Sequence, residues 1–130
     1  NHLIKKLDLQ KHVILTKRLI QQEIVNEMHH ATAFIHCSDY ETFSVVCAES
    51  ICCGTPVIAS DVGGITEFID ETNGLLIKND LMSIVRAIEY FLDNKDYYDR
   101  KQISDKATMS FNEDTIGEKY FKSLCDILSE

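Results

Sequence analysis

Short apolar runs alternate along the chain with longer stretches in which apolar residues recur every three or four positions. That alternation is the pattern of strands followed by helices in a parallel α/β sheet. Val13-Ile14-Leu15-Thr16 predicts a first strand, and Ile24, Val25 and Met28 predict a helix from Gln21 to His30. A second strand is expected over Thr32-Ala33-Phe34-Ile35-His36-Cys37, then a polar loop, Ser38-Asp39-Tyr40-Glu41-Thr42, then a helix over residues 44–53. Gly54-Thr55-Pro56 ends that helix, because glycine accepts the left-handed C-terminal cap and proline cannot continue the turn.

Val57-Ile58-Ala59-Ser60 predicts a third strand, without alternation, as a strand covered on both faces requires. Gly63-Gly64 turns the chain into a short helix through Glu67 and Ile69, Asn73-Gly74 signals a turn, and Leu75-Leu76-Ile77 predicts a fourth strand. The rest is helical in pattern: one helix capped by Asp80 through Ile84, Val85, Ile88 and Phe91, one near residues 97–109, and a last over residues 113–128. The expected fold is a Rossmann-like parallel α/β sheet of about four strands with helices on both faces. It forms one domain over residues 1–130, since no repeat, low-complexity tract or linker marks a second.

Composition narrows the partners. With 13 basic and 21 acidic residues the formal charge is -8, which argues against non-specific binding to nucleic acid or anionic lipid. A helix N-terminus can still hold a phosphate locally. No apolar run approaches the roughly 20 residues that span a bilayer, and the opening stretch has no hydrophobic leader. The first residue is asparagine, so the chain is expected to be cut from something longer. The odd number and apolar neighbours of Cys37, Cys47, Cys52, Cys53 and Cys125 predict reduced core thiols and a cytoplasmic location. Cys52-Cys53 has no spaced partner pair, so no zinc site is expected.

The candidate chemistry lies between Ser38 and Glu49. Loops after the carboxyl ends of parallel strands form the ligand crevice, which puts Glu41 at its rim. Between Glu41 and Glu49 the helix start offers free N–H groups at Phe43, Ser44 and Val45, suited to a diphosphate. Glu49, roughly 7–8 Å further along by helical rise, can accept from the vicinal hydroxyls of a ribose. Taken alone, two acids eight apart are commonplace, and an acid near a helix start is often only a capping effect.

The wider context changes that weighting. Glu41-Thr42-Phe43-Ser44-Val45-Val46-Cys47-Ala48-Glu49, then Gly54-Thr55-Pro56-Val57-Ile58-Ala59-Ser60-Asp61-Val62-Gly63-Gly64, resembles the retaining glycosyltransferases of family four, which have the two-domain GT-B architecture. Asn73-Gly74-Leu75-Leu76-Ile77 extends the resemblance, which covers residues 13–77 and weakens in the C-terminal helices. It implies a partial C-terminal donor-binding domain. The parent enzyme would transfer a sugar from a nucleoside-diphosphate sugar to a glycan, lipid or other acceptor, with retention of anomeric configuration.

Residue by residue, the resemblance makes Glu41 the family's first acid, the catalytic position that contacts hydroxyls of the transferred sugar. It makes Glu49 the acid that holds the ribose, and Thr42 with the backbone at Phe43, Ser44 and Val45 the diphosphate cradle. Ser38 matches a serine at the end of the preceding strand. Thr42 and Ser44 stand where many relatives have glycine, and Lys17 where glycine usually lies near the nucleobase, so Lys17 or Arg18 becomes a candidate nucleotide contact. No metal and no cofactor beyond the donor is implied. Peripheral membrane association belongs, if anywhere, to the parent. An Arg and a Lys that stabilise the leaving diphosphate come, in the family, from strand–helix units that have no match here, and the acceptor domain is absent too. The chain alone is therefore expected to be inactive.

In a doubly wound sheet the unmatched strands would be central. The strand at residues 13–16 is then expected to move beside Phe34–Cys37, or two copies to associate into a homo-oligomer across the open edge. The remaining candidates have plain explanations: His29 and His30 as helix-end residues, His36 as a core or rim residue, Gly63-Gly64 as a tight turn, and Tyr97-Tyr98 and Tyr120-Phe121 as packing. Glu67, which resembles the family's acid after the double glycine, is expected to be structural. Two other classes compete: a non-catalytic Rossmann-like nucleotide-binding or interaction module, and a receiver-like domain, against which the lack of an acid cluster after the first strand argues.

Overall fold

A computed structural model describes residues 2–128; Asn1 lies outside them. Three parallel strands, β1 (Phe34–His36), β2 (Val57–Ser60) and β3 (Gly74–Ile77), lie in that order. Phe34 pairs with Val57 and His36 with Ala59, while Val57 pairs with Gly74 and Ser60 with Ile77. All four residues of β2 are buried, so the central strand is covered on both faces and its continuous apolar run is explained.

Helices α1 (His2–Lys6) and α2 (Gln21–His30) precede the sheet, and α3 (Val45–Cys52) links β1 to β2. A 3-10 turn, η1 (Gly63–Glu67), connects β2 to β3, and α4 (Leu81–Asp93), η2 (Lys95–Tyr97), α5 (Arg100–Phe111) and α6 (Glu113–Leu128) follow. The core joins Cys47 and Ile51 of α3 to Val57, Ile58 and Ala59 of β2, Ile65 and Ile69 near η1, Ala87 and Phe91 of α4, and Ile103 and Ala107 of α5. Asp80 caps α4 as expected, its carboxylate accepting from the Ser83 amide at 2.9 Å. Gly54 ends α3 with φ +73, and a Cβ there would lie 2.4 Å from the Arg100 carbonyl oxygen, so both conformation and space demand glycine.

Arg100 ties the C-terminal helices to the front of the sheet. Its guanidinium donates to the carbonyls of Ala31 (2.6 Å), His29 (2.9 Å) and Met28 (3.3 Å) and to Thr55 Oγ1 (2.8 Å). These are carbonyls that the end of α2 leaves without helical partners. The planar fork of an arginine suits several acceptors at once.

Three expectations need correction. Residues 13–16 form no strand, so the sheet of the described residues has three strands and not about four. Val13, Ile14 and Leu15 are exposed, Ile14 by 88%, and β1 pairs with β2 alone, so the predicted move beside Phe34–Cys37 does not occur. A strand is sustained by its ladder partner, and β-branched propensity without one leaves the backbone to water. The helix expected near residues 97–109 forms as α5 but starts three residues later, because Asp99 accepts from the amides of Lys101 and Gln102 and caps it at Arg100. Among the cysteines, Cys47 is buried but Cys37 and Cys125 are exposed, so not all are core thiols.

Candidate functional site

The loop from β1 to α3 opens at the carboxyl end of the sheet, where the fold class keeps its ligand crevice. Its first half is anchored to the neighbouring strand: the Ser38 amide donates to the buried Ser60 hydroxyl at 3.1 Å, and Ser38 Oγ donates to the Tyr40 carbonyl at 2.9 Å. Glu41 follows, partly exposed, with Oε1 2.6 Å from Nε2 of His36 at the last position of β1.

The next residues are held from η1. The Gly64 amide donates to the Thr42 carbonyl at 3.1 Å. A Cβ at Gly63 would lie 1.7 Å from the Glu41 carbonyl oxygen, and one at Gly64 would lie 2.3 Å from that of Thr42. Gly63 also adopts φ +55. The double glycine therefore does more than turn the chain, since its bare backbone lies flat against the Glu41–Thr42 peptide.

Phe43 turns its ring away from the loop, into a cluster with Phe68 (centroids 4.9 Å apart) and Phe111 (5.9 Å). These rings line a cavity of about 360 Å³ with Ile116, Lys106 and Lys119. Ser44 caps α3 in the left-handed region, φ 66 and ψ 75, with its side chain making no capping bond. Among the described residues the N–H groups of Phe43, Ser44 and Val45 have no protein acceptor, and α3 has no acid in its first turn to compete for them. Three such donors at the positive end of a helix are a place for anionic oxygens.

Ser44 Oγ is buried and makes no hydrogen bond, its polar neighbour being the Cys47 thiol, a weak partner. Burial pushes the Cys47 thiol up, the Ser44 hydroxyl works against that rise, and the Glu41 carboxylate adds to it. Glu49, partly exposed on α3, acts on different thiols: burial first and then its negative charge raise Cys53, and burial, Cys53 and Glu49 raise Cys52.

The structure thus brings Ser38, Glu41, Thr42, Phe43 and Ser44 together with Ser60, Gly63 and Gly64. Val45 and Glu49 stand on the helix that leaves this loop. Lys17 and Arg18 are not brought in: both are exposed, in a segment without helix or strand, and neither bonds to any described residue. His30 stands exposed at the end of α2, its Nδ1 2.7 Å from the Asn26 carbonyl, as a helix-end residue. Sequence reasoning missed His36 as a partner of Glu41. The available signal was a spacing of five across the end of a strand, too weak alone to separate a contact from a core residue.

The comparisons with known proteins bear on the family and the fold. The family model described as Glycosyl transferases group 1 matches residues 1–109. Alpha-maltose-1-phosphate synthase of Mycolicibacterium smegmatis is 47% identical over 51 residues, covering 38% of this chain and 13% of that protein. Sucrose-phosphate synthase of Thermosynechococcus elongatus superposes with a TM-score of 0.81 at 26% identity, over 98% of this chain and 33% of that one. Alr3699/HepE of Anabaena, solved in complex with UDP, superposes with a TM-score of 0.78 at 24% identity, over 96% of this chain and 35% of its own. The same protein was solved with UDP-glucose. The chain spans about one third of these solved chains and about an eighth of the curated relative's length.

Proposed function

The chain belongs to the group 1 glycosyl transferases, and we propose that it forms part of the donor-binding domain of a retaining enzyme that uses a nucleoside-diphosphate sugar. One observation carries the reading: three unpaired amides at the start of α3 directly follow an acid held at the mouth of a parallel sheet. On this reading the amides of Phe43, Ser44 and Val45 receive the diphosphate, Glu49 accepts from the ribose, and Glu41 accepts from hydroxyls of the transferred sugar. Preorganised donors of this kind stabilise charge as it grows on the leaving diphosphate. A metal or cofactor has no part in the proposed chemistry.

The acceptor, a glycan, lipid or other hydroxyl compound, would be bound by another part of a longer protein, which would also supply the cations that complete the leaving-group site. Transfer by this chain alone should then be negligible. A cytoplasmic location fits an enzyme that draws on soluble sugar nucleotides. The open edge of β1 is where further chain, or a second copy, would add to the sheet.

Titration of the labelled chain with uridine, guanosine and adenosine diphosphates tests the reading. One of them is expected to bind with a Kd on the order of 1 mM, moving the amide resonances of Phe43, Ser44 and Val45 most. Glu49→Gln should weaken that binding about tenfold, the loss of one charge-assisted hydrogen bond. No saturable change with any of the three, or changes confined to a different surface, would sink the proposal.

A further inference from the structure

His36 and Glu41 form the closest ion-pair geometry near the site, Nε2 to Oε1 at 2.6 Å, with side chains 22% and 23% exposed. The ring is itself fixed. It stacks on Phe34, two residues earlier on the same face of β1, with centroids 6.1 Å apart and planes 16° from parallel. The backbone just after Glu41 has a separate anchor, the Gly64 amide donating to the Thr42 carbonyl at 3.1 Å. The residue is thereby held on two sides, by a strand through its side chain and by η1 through the carbonyl of the next residue, Thr42.

A carboxylate accepts through two oxygens, and His36 occupies one of them. We propose that His36 is a positioning residue for the sugar of the donor: its Nε2–H donates to Oε1 of Glu41 and leaves Oε2 to accept from a sugar hydroxyl. The inference rests on the donor-site reading of Glu41. It assigns the proton to Nε2, which holds both for the neutral ring in that tautomer and for the imidazolium. Without the histidine, Glu41 would have its backbone in place and its side chain free to leave the crevice. Recognition of the sugar would weaken while the diphosphate, bound by amides further along, would not notice.

The test compares the preferred nucleoside diphosphate with its glucose and mannose esters, bound to the unaltered chain, to His36→Leu and to His36→Gln. Leucine suits a half-buried strand position, so the fold should survive, and the thermal midpoints of all three proteins provide the check. His36→Leu is expected to weaken the better ester about tenfold, equivalent to 1.4 kcal/mol, and to leave the diphosphate unchanged. His36→Gln, whose side-chain N–H can reach the same oxygen, should restore most of the loss. Ester binding untouched by His36→Leu would overturn the inference while diphosphate binding kept the donor reading alive. So would equal losses of ester and diphosphate in both variants, which would mark a structural role. No diphosphate binding by the unaltered chain would remove both ideas together.

Discussion

Ser44 concentrates two local costs in one residue. A side chain in the left-handed region costs about 1–2 kcal/mol, and a buried hydroxyl whose sole polar neighbour is a weakly bonding thiol costs about 1 kcal/mol more. Ser44→Gly removes both, against the roughly 0.5–1 kcal/mol that glycine adds to unfolded-chain entropy. The variant should be more stable by about 1 kcal/mol, raising the thermal midpoint by about 4 °C in calorimetry. An unchanged or lower midpoint would mean that the hydroxyl has a partner in solution. At this scale the sequence was informative about residue types and blind to their contacts. The spacing of Glu41 and Glu49 singled out the loop, and the order of loop and helix placed the free amides. The meeting of Gly63 with Glu41, and of His36 with the same residue, are products of packing between segments that no local pattern encodes.

Among the elements, legibility followed the source of each one's stability. Helix α2 and strand β2 appear with the expected bounds, Gln21–His30 and Val57–Ser60, because their patterns match what their surroundings demand. The run at residues 13–16 has equal β-propensity and no ladder partner, so it stays outside the sheet. Helix α1 is five residues long, too short to carry a period. Arg100 shows what links elements once they exist. Arg100→Ala would leave the carbonyls at the end of α2 short of donors and remove a partner of Thr55, in a part-buried setting. A loss of about 2 kcal/mol is expected in chemical denaturation. Arg100→Lys should recover less than half of it, because a point ammonium cannot serve acceptors spread over four residues.

Across the whole molecule, burial is uneven and local stability should follow it. The middle of β2 is fully buried and hydrogen-bonded on both sides, whereas residues 13–18 are exposed without secondary structure. Native-state hydrogen exchange should therefore rank the amides of Ile58 and Ala59 among the slowest and those of residues 14–18 near the unprotected rate. Protection of residues 14–18 would instead reveal pairing with the β1 edge or with another chain. The fold class itself was plain from alternation of apolar runs and amphipathic stretches, and the three-stranded parallel sheet bears it out. The number of strands was not plain, because pairing is a property of the assembled sheet.

The reach of Arg100 also bears on how the protein is made. Its side chain completes a helix end located 69 residues earlier, and its own carbonyl presses on Gly54. A nascent chain that has released α2, β1 and β2 still lacks the group that closes them, so the first half should remain loosely formed on the ribosome until the start of α5 emerges.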